Sequence, residues 1–356
     1  MKSIEDYVKL EPQYYRYVLA NYQELFVQKF AELDTSKIDN VVIYATGSSA
    51  NAAYGALPLM SKVLGMPVQI EEPSIAENYL LKVKQNTLCI AISQGGHSYS
   101  VVKLIERLQA TGHAVFTLTS ELTSPVARVS QNVLTMGMPV EEMPYVSAGY
   151  SIEILDLMII ALTIAQKEQR LTTKEFNQYL AELRTIAQNL PDVIRRASEW
   201  VARQLPSFVT AKRLMFIGYG AAYGVSREGE TKTTEAVRIS SWGKELEEYM
   251  HGPYLGLTAD DFIICLEPNG KLQKRADLLK QFLDKHVNNI YTIYANDARN
   301  KQGHDLSLGI ETDELLTALF MTVPVHLLAY SLSKEHGHDL QHSAYPDFDE
   351  ITSSKI

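Results

Sequence analysis

Two stretches of this 356-residue sequence combine residue types and spacings that could do chemistry. One is Arg227-Glu228-Gly229-Glu230-Thr231-Lys232-Thr233-Thr234-Glu235, with His251-Gly252-Pro253 following 16 residues after Glu235. On a helix Glu228, Lys232 and Glu235 are spaced by four and three and share one face. Carboxylates around an ammonium can hold and move a proton when partly buried, and the same spacing also describes a solvated, salt-bridged stripe. The other stretch is Thr87 to Gly112, TLCIAISQGGHSYSVVKLIERLQATG. Its β-prone run ends at Ser93-Gln94-Gly95-Gly96-His97-Ser98, and apolar residues at Val101, Val102, Leu104, Ile105 and Leu108 then mark one helix face. Glycines allow close backbone approach, the serines offer hydroxyls, and a helix start favours an anion, so the turn suits a phosphate. An ordinary strand-to-helix turn with Ser98 as N-cap reads the same way.

The elements that must position these residues repeat along the chain. Asn40 to Thr46 is an apolar strand ending at Gly47-Ser48-Ser49, and further β-runs fall at Pro67 to Glu71, Ala114 to Thr119 and Val133 to Met136, with helical segments between. Strands alternating with helices predict a doubly wound parallel sheet, with ligands at the carboxyl ends of its strands. The plan then restarts. Thr46-Gly47 recurs as Tyr219-Gly220 and Asn86–Ser93 as Asp260–Glu267, offsets of 173 and 174 residues, which predicts a duplicated domain. The second copy has Glu267-Pro268-Asn269-Gly270 where the first has Ser93-Gln94-Gly95-Gly96, and a carboxylate there repels phosphate. Only the first copy is therefore expected to hold an anion.

The resulting division is an N-terminal helical segment over 1–35, a first α/β domain over 36–170, a helical connector over 171–205, a second α/β domain over 206–335 and a tail over 336–356. A net charge of -9 without a long basic run argues against nucleic acid as the main partner. Cys89 and Cys265 each sit in an apolar run and suggest neither a disulfide framework nor a zinc site. The first residues lack an apolar signal core, and the longest apolar run, Leu155 to Ala165, is too short to span a bilayer. A cytoplasmic protein acting on a small molecule, without membrane or nucleic-acid partners, is expected. The histidines of the tail, His336, His338 and His342, lack further ligands at metal-site spacing, so no metal is expected.

Taken together, Thr46-Gly47-Ser48-Ser49, Ser93-Gln94-Gly95-Gly96-His97-Ser98, Glu228-Gly229-x-x-Lys232-x-x-Glu235 and Glu248-x-x-His251-Gly252-Pro253 resemble the sugar isomerase (SIS) family over roughly residues 35 to 335. Within that family the likeness is to the isomerase half of glutamine:fructose-6-phosphate amidotransferase and to stand-alone fructosamine-6-phosphate deglycases and sugar-phosphate deaminases. The resemblance implies two tandem flavodoxin-like, three-layer α/β/α SIS domains that work without a cofactor. It implies that Ser48, Ser49, Ser93, Gln94 and Ser98 hold the sugar phosphate and that Val146 and Ser147 line the sugar. It makes Glu235 the base between C1 and C2, Lys232 its charged neighbour, and His251 a ring-opening residue supplied by a second subunit, hence a homodimer or higher homo-oligomer. It sets Lys355 against an imine-forming lysine near the family's C-terminus. The family's loop usually reads Ser-Gln-Ser-Gly-Glu-Thr, so Gly95, His97 and Ser98 are departures, and the tail matches poorly.

Isomerisation of this kind needs a carboxylate to move a proton from one carbon to the next and a distant phosphate anchor to fix the geometry. No glutaminase domain precedes the matched region, which directs the expectation away from a complete amidotransferase and towards C-N cleavage of a 6-phosphorylated ketosamine or amino sugar. A plain aldose-ketose phosphate isomerase and a non-catalytic sugar-phosphate sensor are the alternatives. The sensor would bind phosphate without needing Glu235 or His251.

Overall fold

The computed structural model describes residues 1–79, 82–297 and 303–356. Helix α1 (Ile4–Leu25) leads into a first sheet of β1 (Asn40–Tyr44), β2 (Val68–Glu71), β3 (Thr87–Ile92), β4 (Val115–Thr119) and β5 (Asn132–Thr135). Helices α2 (Gly47–Leu64), α3 (Pro73–Asn78), α4 (Tyr99–Ala110) and α5 (Pro125–Val129) connect these strands. The order is β2-β1-β3-β4-β5 and every neighbouring pair is parallel. All six residues of β3 are buried, which explains its unbroken apolar sequence. The apolar face of α4 packs with Val42, Tyr44, Cys89 and Ala91 of the sheet.

Two long helices follow, α6 (Ala148–Lys167) and α7 (Thr173–Phe208). The former is long and apolar enough to cross a membrane, and its apolar length is buried in the fold. A second sheet contains β6 (Arg213–Gly218), β7 (Ser240–Glu245), β8 (Phe262–Glu267), β9 (Asn289–Tyr294) and β10 (Leu306–Ser307). With it come helices α8 (Ala222–Lys232), α9 (Leu246–Met250), α10 (Gln273–Leu283), α11 (Ala318–Glu335) and, in the tail, α12 (Phe348–Thr352). Its order, β10-β9-β8-β6-β7, repeats that of the first sheet, and its pairs are again parallel. The duplication expected from the 173- and 174-residue offsets is therefore two parallel α/β sheets of one topology. In each, the winding reverses between the first strand and the third, which opens a crevice at their carboxyl ends.

The chain packs as two units that interleave along the sequence. One holds the second sheet and comprises Met1–Pro12, Met143–Ser151 and Thr185–Gln341; the other holds the first sheet and comprises Gln13–Glu142, Ile152–Arg184 and His342–Ile356. Residues 143–151 thus count with the second sheet and the end of the tail with the first.

Within the first-sheet unit, Asp156 is fully buried; its Oδ2 accepts from the Gly137 amide at 3.2 Å, and its Oδ1 has no partner among the described residues. Burial pushes its carboxyl well above the usual range. The folded state then keeps a proton that the unfolded chain releases above about pH 4, so this site costs stability as pH rises. Asp156→Asn is expected to be roughly 1–3 kcal/mol more stable than the parent at pH 8 and equal to it near pH 4. Denaturant melts at the two pH values check this, and a pH-independent difference would count against it.

Candidate functional site

The turns after β1 and β3 lie at the reversal point of the first sheet, where an α/β sheet presents backbone to ligands. Among the described residues the half-buried Ser93 makes only backbone hydrogen bonds, to Leu118 and Gly96, which leaves its hydroxyl available to a ligand. Gly96 has φ +72 and packs so tightly on Ser124 that a side chain there would collide with it. Ser98 stands before α4 with its hydroxyl 3.4 Å from that of Ser100 and makes no side-chain cap. Gln94 differs from a simple phosphate ligand: its side chain is buried against Met138, and its carbonyl accepts from Thr119 and Ser120. Ser48 and Ser49 occupy the first turn of α2, and the Ser49 hydroxyl donates to the buried Glu153 carboxylate at 3.0 Å. That proton is committed to Glu153, so Ser49 can offer a bound anion only its backbone.

The tail returns to this loop. Tyr99 N donates to Ser354 O and Ile356 N to His97 O, which lays Lys355 beside Ser98 as an antiparallel bridge. The His97 ring closes the contact, with Nδ1 2.7 Å from the Ile356 carbonyl oxygen. Lys355 is therefore carried to the anion loop as part of the same unit. Its ammonium pairs with Asp349 at 2.8 Å, and this pairing holds the Asp349 carboxyl below its usual range. An ammonium has no lone pair and attacks a carbonyl only after it has lost a proton.

The corresponding turn of the second sheet is filled from within. The Tyr219 hydroxyl donates to Glu267 across the reversal point, and Glu267 also accepts from Asn269 N at 2.9 Å. Glu314 accepts from Lys271 N at 3.0 Å and lies so close over Gly270 that no side chain fits there. Carboxylates of the chain itself take the amides that an anion would use.

The acid–base cluster lies in the second-sheet unit. Helix α8 is seated against its sheet by Gly229, which faces the Phe216 ring, and by Gly243, which faces the Ser226 carbonyl. It ends in a π turn, Thr233–Val237, closed by Arg238 N donating to Thr233 O at 2.8 Å with Arg238 at φ 63. Such a turn re-aims a side chain that a continued α-helix would point elsewhere. Lys232, 1% exposed, bonds Glu235 and lies 3.4 Å from Glu228, which is fully buried. Glu235 itself is 37% exposed and open to a substrate. The expected stripe is thus no solvated surface: two of its three members are buried.

Val146 and Ser147 belong to the same unit as this cluster, the former half-buried and the latter buried. The preceding Tyr145 accepts through its hydroxyl from Arg238 Nη2 at 3.4 Å, which ties this segment to the π turn. His251 is not with them. Helix α8 leaves the carboxyl edge of β6 and returns the chain to the amino edge, where Glu235 lies just before β7; His251 follows the other end of β7. The six strand residues alone cover about 17 Å. His251 is exposed, and its Nδ1 lies 2.7 Å from the Glu247 carbonyl. A carbonyl only accepts, so Nδ1 carries a proton in this contact.

His326 is a member of the cluster that sequence reasoning missed. It is buried on α11 with Nε2 3.3 Å from Glu228 Oε1. Its signal was present as a single histidine inside the apolar run Ala318 to Ala329.

Residues 35–165 match the SIS domain family. The chain is 25% identical over 329 residues to the glutamine–fructose-6-phosphate aminotransferase (isomerizing) of Acinetobacter baylyi, covering 89% of this chain and 53% of that protein. It spans about half the length of the curated relatives it matches. Among solved structures it resembles a proposed phosphosugar isomerase of Clostridium difficile, with a TM-score of 0.90 at 22% identity over 100% and 99% of the two chains. It also resembles the C-terminal domain of glucosamine-fructose-6-phosphate aminotransferase from Francisella tularensis, with a TM-score of 0.86 at 19% identity over 96% and 99%. At these identities the two structures establish the fold.

Proposed function

We propose that this chain, a SIS-domain protein by its residues 35–165, isomerises a 6-phosphorylated ketosamine or amino sugar and cleaves its C-N bond. The observation that carries the reading is the Lys232–Glu235 pair, a buried ammonium fixing a partly exposed carboxylate on a π turn. For a ketosamine, Glu235 removes a proton from C1, which bears the amine, and returns it to C2, where the carbonyl was. The C1-N bond is then an imine, and water adding to C1 releases the amine and an aldose phosphate. Ser93, Ser98 and the turn at Ser48-Ser49 anchor the phosphate, and Val146 and Ser147 line the sugar. The A. baylyi relative's name describes amino transfer to fructose 6-phosphate, which is also C-N chemistry on a hexose phosphate.

The reading includes a homodimer. Glu235 and His251 lie at opposite ends of β7, so a second copy must bring a His251 to each base. Beside His251 is a groove of Met250, Tyr254, Leu278, Leu279 and Phe282 with Arg275 at its wall, and the neighbouring Leu255 is 77% exposed. Such a surface suits a partner copy. A cytoplasmic location accords with the two buried free cysteines.

Fructoselysine 6-phosphate, glucosamine 6-phosphate and fructose 6-phosphate, incubated with the purified protein and followed by mass spectrometry, test the proposal. Loss of an aminated substrate with matching appearance of a hexose phosphate is the expected result. Interconversion of fructose and glucose 6-phosphates alone would make it an aldose-ketose isomerase. Binding of all three without conversion would make it a sensor.

A further inference from the structure

The π turn that carries Glu235 closes on Arg238, which lies in the left-handed region at φ 63. Glycine or asparagine is the usual choice at such a position, yet here a long cationic side chain occupies it and is exposed. Arg195, Arg196, Arg213 and Arg275 each pair with a carboxylate of the chain. Arg238 pairs with none among the described residues. Its Nη2 donates to the Tyr145 hydroxyl and its Nη1 to His338 Nδ1, each at 3.4 Å. His338 is held in turn by its Nε2, which donates to Val237 O at 3.2 Å, and Tyr145 is buried. The guanidinium is thereby tied both to the π turn and to the segment that leads into Val146 and Ser147, all within one unit. These two long contacts use two of its five N-H donors and leave the rest of a fork shaped for a carboxylate or a phosphate.

We propose that Arg238 is a specificity residue that binds a carboxylate carried by the substrate's amine, so that the substrate is the 6-phosphate of a sugar joined to an amino acid. The inference rests on the reading of Glu235 as the base and deepens it by naming the amine. In that reading the phosphate on C6 is held at the turns of the first sheet, while Glu235 works at C1 and C2, the other end of the sugar. What hangs from C1 is the amine. An anion-binding fork three residues beyond Glu235 therefore serves the amine's end of the substrate and not its phosphate. Paired N-H donors of a guanidinium meet both oxygens of a carboxylate, which gives recognition as well as attraction. Glucosamine 6-phosphate, whose nitrogen bears no such group, leaves the fork empty. After C-N cleavage the amine released is an amino acid.

The test compares phosphosugars that differ only in that group. Two pairs are used: fructoselysine 6-phosphate with fructosylcadaverine 6-phosphate, and fructosylglycine 6-phosphate with fructosylmethylamine 6-phosphate. The second member of each is the first without its carboxylate. Calorimetric binding to the intact protein is expected to favour the acid by about tenfold in at least one pair. Arg238→Asn suits the left-handed backbone, so the fold should hold. It is expected to erase that preference and to leave the affinity of the decarboxylated member within about twofold of the parent's. Equal affinities within both pairs would overturn the proposal. So would a loss in Arg238→Asn shared equally by all four compounds and by fructose 6-phosphate, which would put the guanidinium on the phosphate. Conversion of the aminated compounds without preference for the acids would overturn this inference and leave the functional reading standing. Preferential binding of an acid with no conversion would overturn the functional reading alone, and a protein that binds none of the four would overturn both.

Discussion

Glu235→Gln is expected to lower kcat/KM for the aminated phosphosugar by roughly 10²- to 10⁴-fold, the usual worth of a positioned acid–base group. The amide keeps the shape of the side chain and can still face Lys232, but it cannot take a proton from carbon. The buried Lys232 ammonium loses one carboxylate but keeps Glu228 at 3.4 Å, so the fold should hold. The substitution leaves the proposed phosphate anchors Ser93 and Ser98 untouched, so phosphosugar affinity should stay within about twofold of the parent. Steady-state kinetics together with calorimetric binding separate these effects. Full turnover by the variant would remove Glu235 from the mechanism.

The second large effect comes from mixing two disabled proteins. His251→Ala and Glu235→Gln should each be nearly inactive, because in the proposed dimer every site draws its base from one copy and its histidine from the other. Combined in equal amounts and allowed to exchange subunits, half of the dimers are mixed. One of the two sites in each mixed dimer has both native residues, so activity should recover to roughly a quarter of the parent's. The argument stands on β7, which separates the two residues by its whole length within one chain. No recovery, despite subunit exchange shown by differently tagged copies, would mean that each chain uses its own residues or that His251 has no part.

Much of this was legible in the sequence, for reasons specific to each element. The buried strands β1, β3, β6 and β8 are unbroken apolar runs, and their recurrence at nearly one offset gave the duplication. By contrast, β7 reads Ser-Ser-Trp-Gly-Lys-Glu and carries no apolar run, because it is an edge strand and mostly half-exposed. Without β7 the sequence offers no means of seeing that Glu235 and His251 point to opposite ends of the sheet. The spacing of Glu228, Lys232 and Glu235 correctly put them near one another, but the π turn and the burial of two of the three depend on tertiary packing around Gly229 and Gly243. At the anion loop the residue types led to Ser93 and Ser98, yet the commitment of Ser49 to Glu153 needed a carboxylate over a hundred residues away. Gln94 was read by position alone, and its burial against Met138 follows from how β3 ends.

The filled turn of the second sheet also bears on how a ligand would change the thermal behaviour of the chain. At a hundred times its dissociation constant a ligand adds about 2.7 kcal/mol to whatever structure binds it and nothing to structure that does not. A phosphosugar held at Ser93 and Ser98 places that increment on the unit of the first sheet. The unit of the second sheet already contains its equivalent in Glu267 and Glu314, present at every ligand concentration. Under the proposed function, one copy of the duplicated fold therefore gains stability as phosphosugar rises, while the other keeps the same internal ties at every concentration.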